Sequence, residues 1–549
     1  MSTGMKADVS GWSIRWSEET AARYRAEGHW RDATLVDAAR AAVAEDPSRI
    51  LLIEGDVRLT RGDAWEKALR LAGFFIARGL VPGDVVAFQL PNWIESAILA
   101  LATRMIGIVI NPIPPIYRES ELSYILADCG AKMIFVPQVF RRHDHASMVE
   151  ALRPALPALR DVIVVRGSGN LTWEEALSGE LAGELPRVDP AAVMMVMYTS
   201  GTTGKPKGVM HIHHAFDHRV RTMGDAWGIG PDDVVFMPSP VSHITGAFWA
   251  FDMPWVRGSR SVLIDVWAAD DGIRCIEENR CTVSGGATPF LQQLLDMARQ
   301  KPGVLSSLRL FFCGGTTVSP DLIRQASAAF PSGLFFRAYG STEMTCATLG
   351  ISDRAQARQG AETDGAVIYP TEIRIVDPVT DELVPDGNEG EILANGPGLF
   401  VGYLHPSDNE GNFEPDGFFR MGDLGCRVEG GYLVITGRKK DIIIRSGENI
   451  SPKEVEDLLF THPAVAEVAI VAMPSPATGE KGCAFIIPRG GQTIDLAEIR
   501  RFLDRAGLAK QKYPEHVVLV DDLPRVPSGK VKKDVLRLRA REIAKEPTA

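Results

Sequence analysis

Short apolar runs alternate with amphipathic, helix-length stretches through much of this 549-residue chain, and that rhythm limits the fold more than any other feature. Val85–Leu90, Val109–Ile113 and Lys132–Val136 read as strands, with helices over Ala64–Arg78, Glu95–Met105 and Glu119–Cys129. Runs of about four to eight apolar residues between helical patterns mark a sheet that is largely parallel and covered on both faces. The rhythm resumes in Ala192–Tyr198, Val234–Met237, Ser261–Leu263, Thr282–Gly285 and Leu308–Phe312. Beyond Thr363 the character changes to short strands and Gly/Pro turns, at Glu372–Val376, Gly390–Ala394, Cys426–Glu429 and Tyr432–Thr436, which predicts an antiparallel, barrel-like section. A final α+β unit follows: strand Ile442–Arg445, helix Pro452–Thr461, strands Val465–Met473 and Gly482–Pro488, helix Leu496–Ala506 and strand His516–Val520. The expected fold is α/β, with a large N-terminal domain over 1–439 (two α/β subdomains and the barrel-like section) and a small α+β domain over 440–549. The charged segment Gly437–Asp441 marks the boundary.

Charge and cysteine usage narrow the function. With 59 Lys+Arg against 70 Asp+Glu the net charge is −11, which disfavours a general nucleic-acid binder but leaves room for a local basic site that holds a small polyanion. The seven cysteines include no CxxC pair and their number is odd, so neither a disulfide framework nor a zinc knuckle is expected. The first residues lack a basic segment followed by an apolar core, and the longest apolar stretch, Ala97–Ile110, is broken by Arg104. A cytoplasmic protein is expected.

The strongest local signal is Tyr198-Thr199-Ser200-Gly201-Thr202-Thr203-Gly204-Lys205-Pro206-Lys207-Gly208, directly after an apolar strand. Glycines let backbone N–H groups approach phosphate oxygens, hydroxyls add donors and lysine adds a mobile charge. The spacing is not that of a Walker A loop, and Pro206 opposes a helix starting there. Downstream, His211, His214 and His218 have the spacing of one helix face, which raises a metal site as an alternative, although no cysteine or carboxylate pattern supports it.

The hydroxyl-rich loop resembles the signature loop of the adenylate-forming superfamily, which includes acyl-CoA synthetases, peptide-synthetase adenylation domains and luciferases. The resemblance continues in order through Tyr339-Gly340-Ser341-Thr342-Glu343, Arg420-Met421-Gly422-Asp423, Gly437-Arg438-Lys439-Lys440-Asp441, Ser446-Gly447-Glu448-Asn449-Ile450 and Pro527-Ser528-Gly529-Lys530. Met421 replaces the usual Thr while the Asp is kept.

This resemblance implies ATP, Mg²⁺ and coenzyme A as partners of the reaction. It assigns phosphate and nucleotide contacts to Thr199, Ser200, Gly201, Thr202, Thr203, Lys207, Gly314, Gly315 and Thr316. It implies that Tyr339 stacks on adenine, Thr342 holds the α-phosphate, Glu343 holds Mg²⁺, Asp423 binds the ribose and Arg438 reaches ribose or phosphate. Lys530 would bridge the carboxylate and the α-phosphate, Lys440 would be the hinge, and Gly447 would face the pantetheine arm after the small domain rotates. His243 would gate an acyl pocket lined also by Ile244, Thr245, Gly314, Ala338, Gly340 and Thr345.

No acidic residue stands where amino-acid-activating relatives hold an ammonium group, which favours an uncharged acid. The chain looks most like a bacterial cyclohexanecarboxylate–CoA ligase. The alternative is a stand-alone acid-adenylating enzyme that loads a carrier protein. A lysine acetyltransferase acting on Lys530 and a homodimer are further partners the resemblance allows, and no membrane or nucleic-acid partner is expected.

Overall fold

The computed structural model describes residues 4–199, 205–301, 303–315, 318–446, 448–526 and 529–545. Two large sheets dominate. The first has six strands in the order Asp161–Val165, Met133–Pro137, Val85–Phe88, Val109–Pro112, Val193–Thr199 and Lys207–Ile212. All its pairings are parallel except the last. The second has seven: Leu334–Arg337, Leu310–Cys313, Val283–Gly286, Val234–Met237, Arg260–Leu263, Ile50–Glu54 and Val57–Thr60. It too is parallel apart from its terminal hairpin.

The strand sequences are apolar throughout because both faces are covered. Val86, Phe88, Ile110 and Phe135 point into the core between the two sheets, whereas Val85, Ala87, Val109 and Ile134 point into an outer core. The second sheet divides in the same way, with Val235, Met237 and Phe312 inward and Val234, Phe236 and Phe311 outward. Side chains alternate with a period of two, so a strand buried on both faces needs apolar residues at every position. Between the sheets lies helix Ile94–Met105, whose residues from Glu95 to Met105 are all buried. Its Arg104 is fully buried and pairs with Asp252 at 3.0 Å.

The antiparallel section is a four-stranded sheet in the order Glu372–Val376, Gly390–Asn395, Phe419–Val428 and Tyr432–Arg438. It is open: no ladder joins its first and last strands among the described residues, so the barrel-like expectation is corrected to an open sheet. The predicted strand Cys426–Glu429 is the tail of the ten-residue strand Phe419–Val428, which therefore includes Asp423. The final five-stranded sheet is built entirely from residues between Ile443 and Leu519, with helices Pro452–Leu459 and Leu496–Arg505 packed in one of its cores. Among the described residues no helix is long and apolar enough to cross a membrane.

The helical reading of His211 is corrected. His211 lies on the strand Lys207–Ile212, and only His213, His214 and His218 belong to helix His213–Ala226. These rings pack rather than ligate: His214 stacks on Trp30 with centroids 4.9 Å apart, and His218 meets His29 edge-on at 5.2 Å. No group of three or more His, Cys, Asp or Glu side chains among the described residues is arranged to hold a metal.

Candidate active site

Parallel sheets gather functional loops at the carboxyl ends of their strands. Four adjacent strands of the seven-stranded sheet, ending at Met237, Gly286, Cys313 and Arg337, release their loops on one side. These loops carry, in turn, His243, Ala287, Gly314 and Ala338–Thr345. Backbone hydrogen bonds knit them together: Gly314 N–H donates to the Gly286 carbonyl at 3.1 Å, and Ala338 N–H to the Cys313 carbonyl at 2.9 Å. Gly315 follows Gly314 on the same loop. Gly340 presses against the Cys346 backbone, which a Cβ would meet at 2.5 Å, so its small size serves the turn rather than opening the pocket.

Tyr339 and Arg438, expected to hold the nucleotide, converge on Asp423. The Tyr339 hydroxyl donates to Asp423 Oδ2 at 2.8 Å, and Arg438 Nε lies 3.1 Å from Oδ1. Asp423 and Arg438 face each other across neighbouring strands of the four-stranded sheet, which fixes their pairing. Tyr339 is held in turn by Thr348, whose hydroxyl accepts from the Tyr339 N–H at 2.8 Å and donates to the Asp364 carbonyl. Asp364 is itself paired with buried Arg337. Thr348, Asp364 and Arg337 carry no motif signal in the sequence, because each acts only through its neighbour.

Glu343 is half-buried, and its Oε1 accepts from the Tyr403 hydroxyl at 2.9 Å. Thr342, beside it, has its backbone against the buried ring of His211. A hard, oxygen-seeking cation such as Mg²⁺ is suited by such a partly exposed carboxylate on a rigid loop. Lys207 begins the strand after the phosphate loop, opposite Thr199, and its ammonium pairs with Asp408 at 3.0 Å. Ser200, Gly201, Thr202, Thr203, Thr316 and Gly447 lie outside the described residues.

The acyl side is framed by His243, whose Nδ1 accepts from the Thr245 N–H at 3.3 Å at the start of helix Ile244–Ala247. Ile244 is buried, and the helix continues through a wider π-type turn, Phe248–Asp252, before Met253–Arg257. Ala338 is half-buried, and the Thr345 hydroxyl is buried without a hydrogen-bond partner among the described residues. Of two acidic residues elsewhere in this domain, Asp217 is engaged by Arg31 and Arg221 and Asp252 by Arg104.

Lys530 comes from the small C-terminal unit. Gly529, next to it, sits with its Cβ position 3.6 Å from Ala287 Cβ and 3.9 Å from Pro289 Cγ, on the loops of the large unit. Burial pushes the Lys530 ammonium down to about 7, helped by Arg438 and Lys440 and opposed by Asp423 and Asp441. The His243 ring is pushed down to about 4 by burial and then by Lys530. Lys530 is thus within electrostatic reach of Asp423, Arg438 and His243. The turn Lys439–Asp441 separates the two units' anchors, with Lys439 tied to Glu391 of the four-stranded sheet at 2.9 Å and Asp441 tied to Arg537 of the C-terminal helix at 2.6 Å. Lys440 between them is exposed and makes no ion pair or hydrogen bond among the described residues.

The model of the AMP-binding enzyme family matches residues 39–404, and that of the AMP-binding enzyme C-terminal domain matches residues 454–530. The chain belongs to the AMP-binding enzyme family. The medium-chain fatty-acid–CoA ligase of Escherichia coli K12 is 36% identical over 535 residues, 96% of this chain and 94% of that protein. The 2,3-dihydroxybenzoate-AMP ligase of Bacillus subtilis is 30% identical, over 95% of this chain and 96% of that one. Among solved structures, ATP-bound MatB from Rhodopseudomonas palustris superposes with a TM-score of 0.84 at 30% identity, covering 93% of this chain and 100% of MatB. Apo MatB superposes less closely, with a TM-score of 0.74 over 94% of this chain and 100% of MatB. Arrangement and sequence therefore agree that this is an adenylate-forming enzyme of the acyl- and aryl-acid ligase family.

Proposed function

We propose that this protein is an ATP-dependent carboxylate–CoA ligase that acts on an uncharged alicyclic, aromatic or medium-chain acid, with cyclohexanecarboxylate as the first candidate. The observation that carries the reading is the approach of Gly529, next to Lys530, to Ala287 of the large unit, with Lys530 in electrostatic reach of Asp423, Arg438 and His243. A carboxylate oxygen attacks the α-phosphorus of ATP, and pyrophosphate leaves. Two anions must approach each other, and Lys530 and Lys207 supply positioned positive charge against that repulsion. When bound at Glu343, Mg²⁺ supplies further charge screening. Tyr339, Asp423 and Arg438 orient the nucleoside, and Thr342 faces the α-phosphate. In the second step the CoA thiolate attacks the acyl carbonyl, a C–S bond forms and AMP leaves. Lys530 and a thiol cannot occupy one approach to the same carbonyl, so the small unit turns about Lys440 and brings Gly447 into place.

Asp217 and Asp252 are both spent on arginines, which favours an uncharged substrate, and likeness to a medium-chain ligase supports the CoA acceptor. Likeness to an aryl-AMP ligase keeps a second reading, in which the adenylate is passed to a carrier protein. Incubation with ATP, Mg²⁺, CoA and mixed aromatic, alicyclic and straight-chain acids, read by mass spectrometry, separates them. One dominant acyl-CoA with AMP supports the ligase reading. Adenylate and AMP without acyl-CoA overturn it in favour of the carrier.

A further inference from the structure

Asp128 is the last residue of helix Glu119–Asp128. The carbonyl end of a helix repels negative charge, so a carboxylate there opposes local preference. Such breaches of local rule gather at functional positions. Both oxygens of Asp128 are used in long-range contacts: the Tyr198 hydroxyl donates to Oδ2 at 2.6 Å, and His405 Nε2 lies 2.7 Å from Oδ1. Tyr198 is the second-to-last residue of the strand that enters the phosphate loop.

His405 belongs to a segment that touches the rest of the phosphate machinery. The backbone from Leu399 to Leu404 is laid between the Glu343 loop and strand Lys207–Ile212: Phe400 N–H donates to the Glu343 carbonyl at 2.9 Å, and Leu404 N–H to the Gly208 carbonyl at 2.8 Å. Tyr403 holds Glu343, and Asp408 holds Lys207. On the same helix as Asp128, the ring of Tyr124 lies edge-on to Tyr198 and beneath the Lys205 ammonium, 5.8 Å from its centroid.

We infer that Asp128 is a positioning residue for the triphosphate, joining the entry strand of the phosphate loop, through Tyr198, to the 403–408 segment that presents Lys207 and Glu343. The adenosine contacts at Tyr339, Asp423 and Arg438 do not involve Asp128, so its effect is confined to the phosphates beyond the first. This rests on the nucleotide assignment proposed above.

The test is calorimetric titration of the full chain with MgATP and, separately, with AMP, without any acid. Tyr198→Phe removes one hydroxyl, and Asp128→Ala removes both contacts. Affinity for MgATP is expected to fall about three- to fivefold for Tyr198→Phe and about tenfold for Asp128→Ala, the worth of one ordinary hydrogen bond and of two, with AMP affinity unchanged. The double variant is expected to lose no more than Asp128→Ala alone, because Tyr198 acts through that carboxylate. Equal weakening of ATP and AMP would show a merely structural role and overturn the inference, as would unchanged MgATP affinity in Tyr198→Phe, which keeps the ring and its packing should Asp128→Ala fail to fold. Wild-type protein that binds neither nucleotide would instead remove the nucleotide assignment itself.

Discussion

Adenylation by this enzyme should lose activity on the alkaline side at a pH set by Lys530. The perturbation is proton removal from an ammonium that burial, Arg438 and Lys440 push down to about 7. The folded value lies below the ordinary 10.5, so the folded protein releases this proton earlier than the unfolded chain does. At pH 7 about half of the free enzyme carries the charge, and about a tenth does so at pH 8. Attack of a carboxylate on ATP needs that charge, so kcat/KM for adenylation should fall about tenfold per pH unit above 7. Substrate carboxylate and ATP are anions beside Lys530 and favour its charged form, so the same limb in kcat should lie at higher pH. ATP–pyrophosphate exchange measured from pH 6 to 10, with acid and MgATP varied, reads both profiles. Lys530→Arg retains a charge across this range and should flatten the limb, whatever its absolute rate. A flat wild-type kcat/KM profile, or a limb that survives in Lys530→Arg, would refute the assignment of this ionisation to Lys530.

Three further outcomes follow from packing and charge. Asp252→Asn leaves Arg104 charged, buried and unpaired, so urea denaturation should show a loss of about 3–5 kcal/mol, while Arg104→Met combined with Asp252→Leu should recover most of it. Gly246→Ala places a Cβ 2.0 Å from the Pro240 carbonyl oxygen, so the turn that positions His243 must shift; a loss of about 1–3 kcal/mol with a larger fall in adenylation rate is expected, and normal activity would contradict the placement. Burial pushes His211 and His214 down to about 4 and His213 to about 3, from an ordinary 6.5. The unfolded chain therefore binds more protons between pH 6.5 and 4, and the melting temperature should drop through that window as pH falls, with a shallower drop in His214→Phe.

The strands were legible because burial leaves a mark in sequence: Val234–Met237, buried on both faces, is apolar throughout, and Glu372–Val376, buried on one, alternates at its start, and both occur with the predicted bounds. Two other features misled or were silent. His211, His214 and His218 carry helical spacing, yet the first pairs with Met195 on a strand edge, because Pro206 and the sheet override the local pattern. Ile50–Glu54 joins the second sheet by pairing with Arg260–Leu263, a contact across some two hundred residues that periodicity cannot reveal. The site divides in the same way. Tyr339, Asp423 and Arg438 sit in contiguous motifs, and the fold brings them together. Tyr403, Asp408 and Asp128 carry no motif, since their partners lie 60, 201 and 277 residues away for Glu343, Lys207 and His405.

The charge balance around Lys530 links the chemistry to the movement it requires. Arg438 and Lys440 repel its ammonium, and Asp423 is largely spoken for by Tyr339 and Arg438. In the rotation proposed above, closure of the small unit would gather like charges, and the closed arrangement would be favoured when anions fill the site. ATP and a carboxylate bring that negative charge. Formation of the adenylate joins the two reactants, and departure of pyrophosphate carries most of the negative charge away. What remains holds Lys530 less strongly, while the turn Lys439–Asp441, pinned on either side to a different unit, leaves Lys440 free to change conformation. The product of the first step thus weakens the contact that made it, and an affinity difference between the two states is what a ligand-driven domain rotation needs.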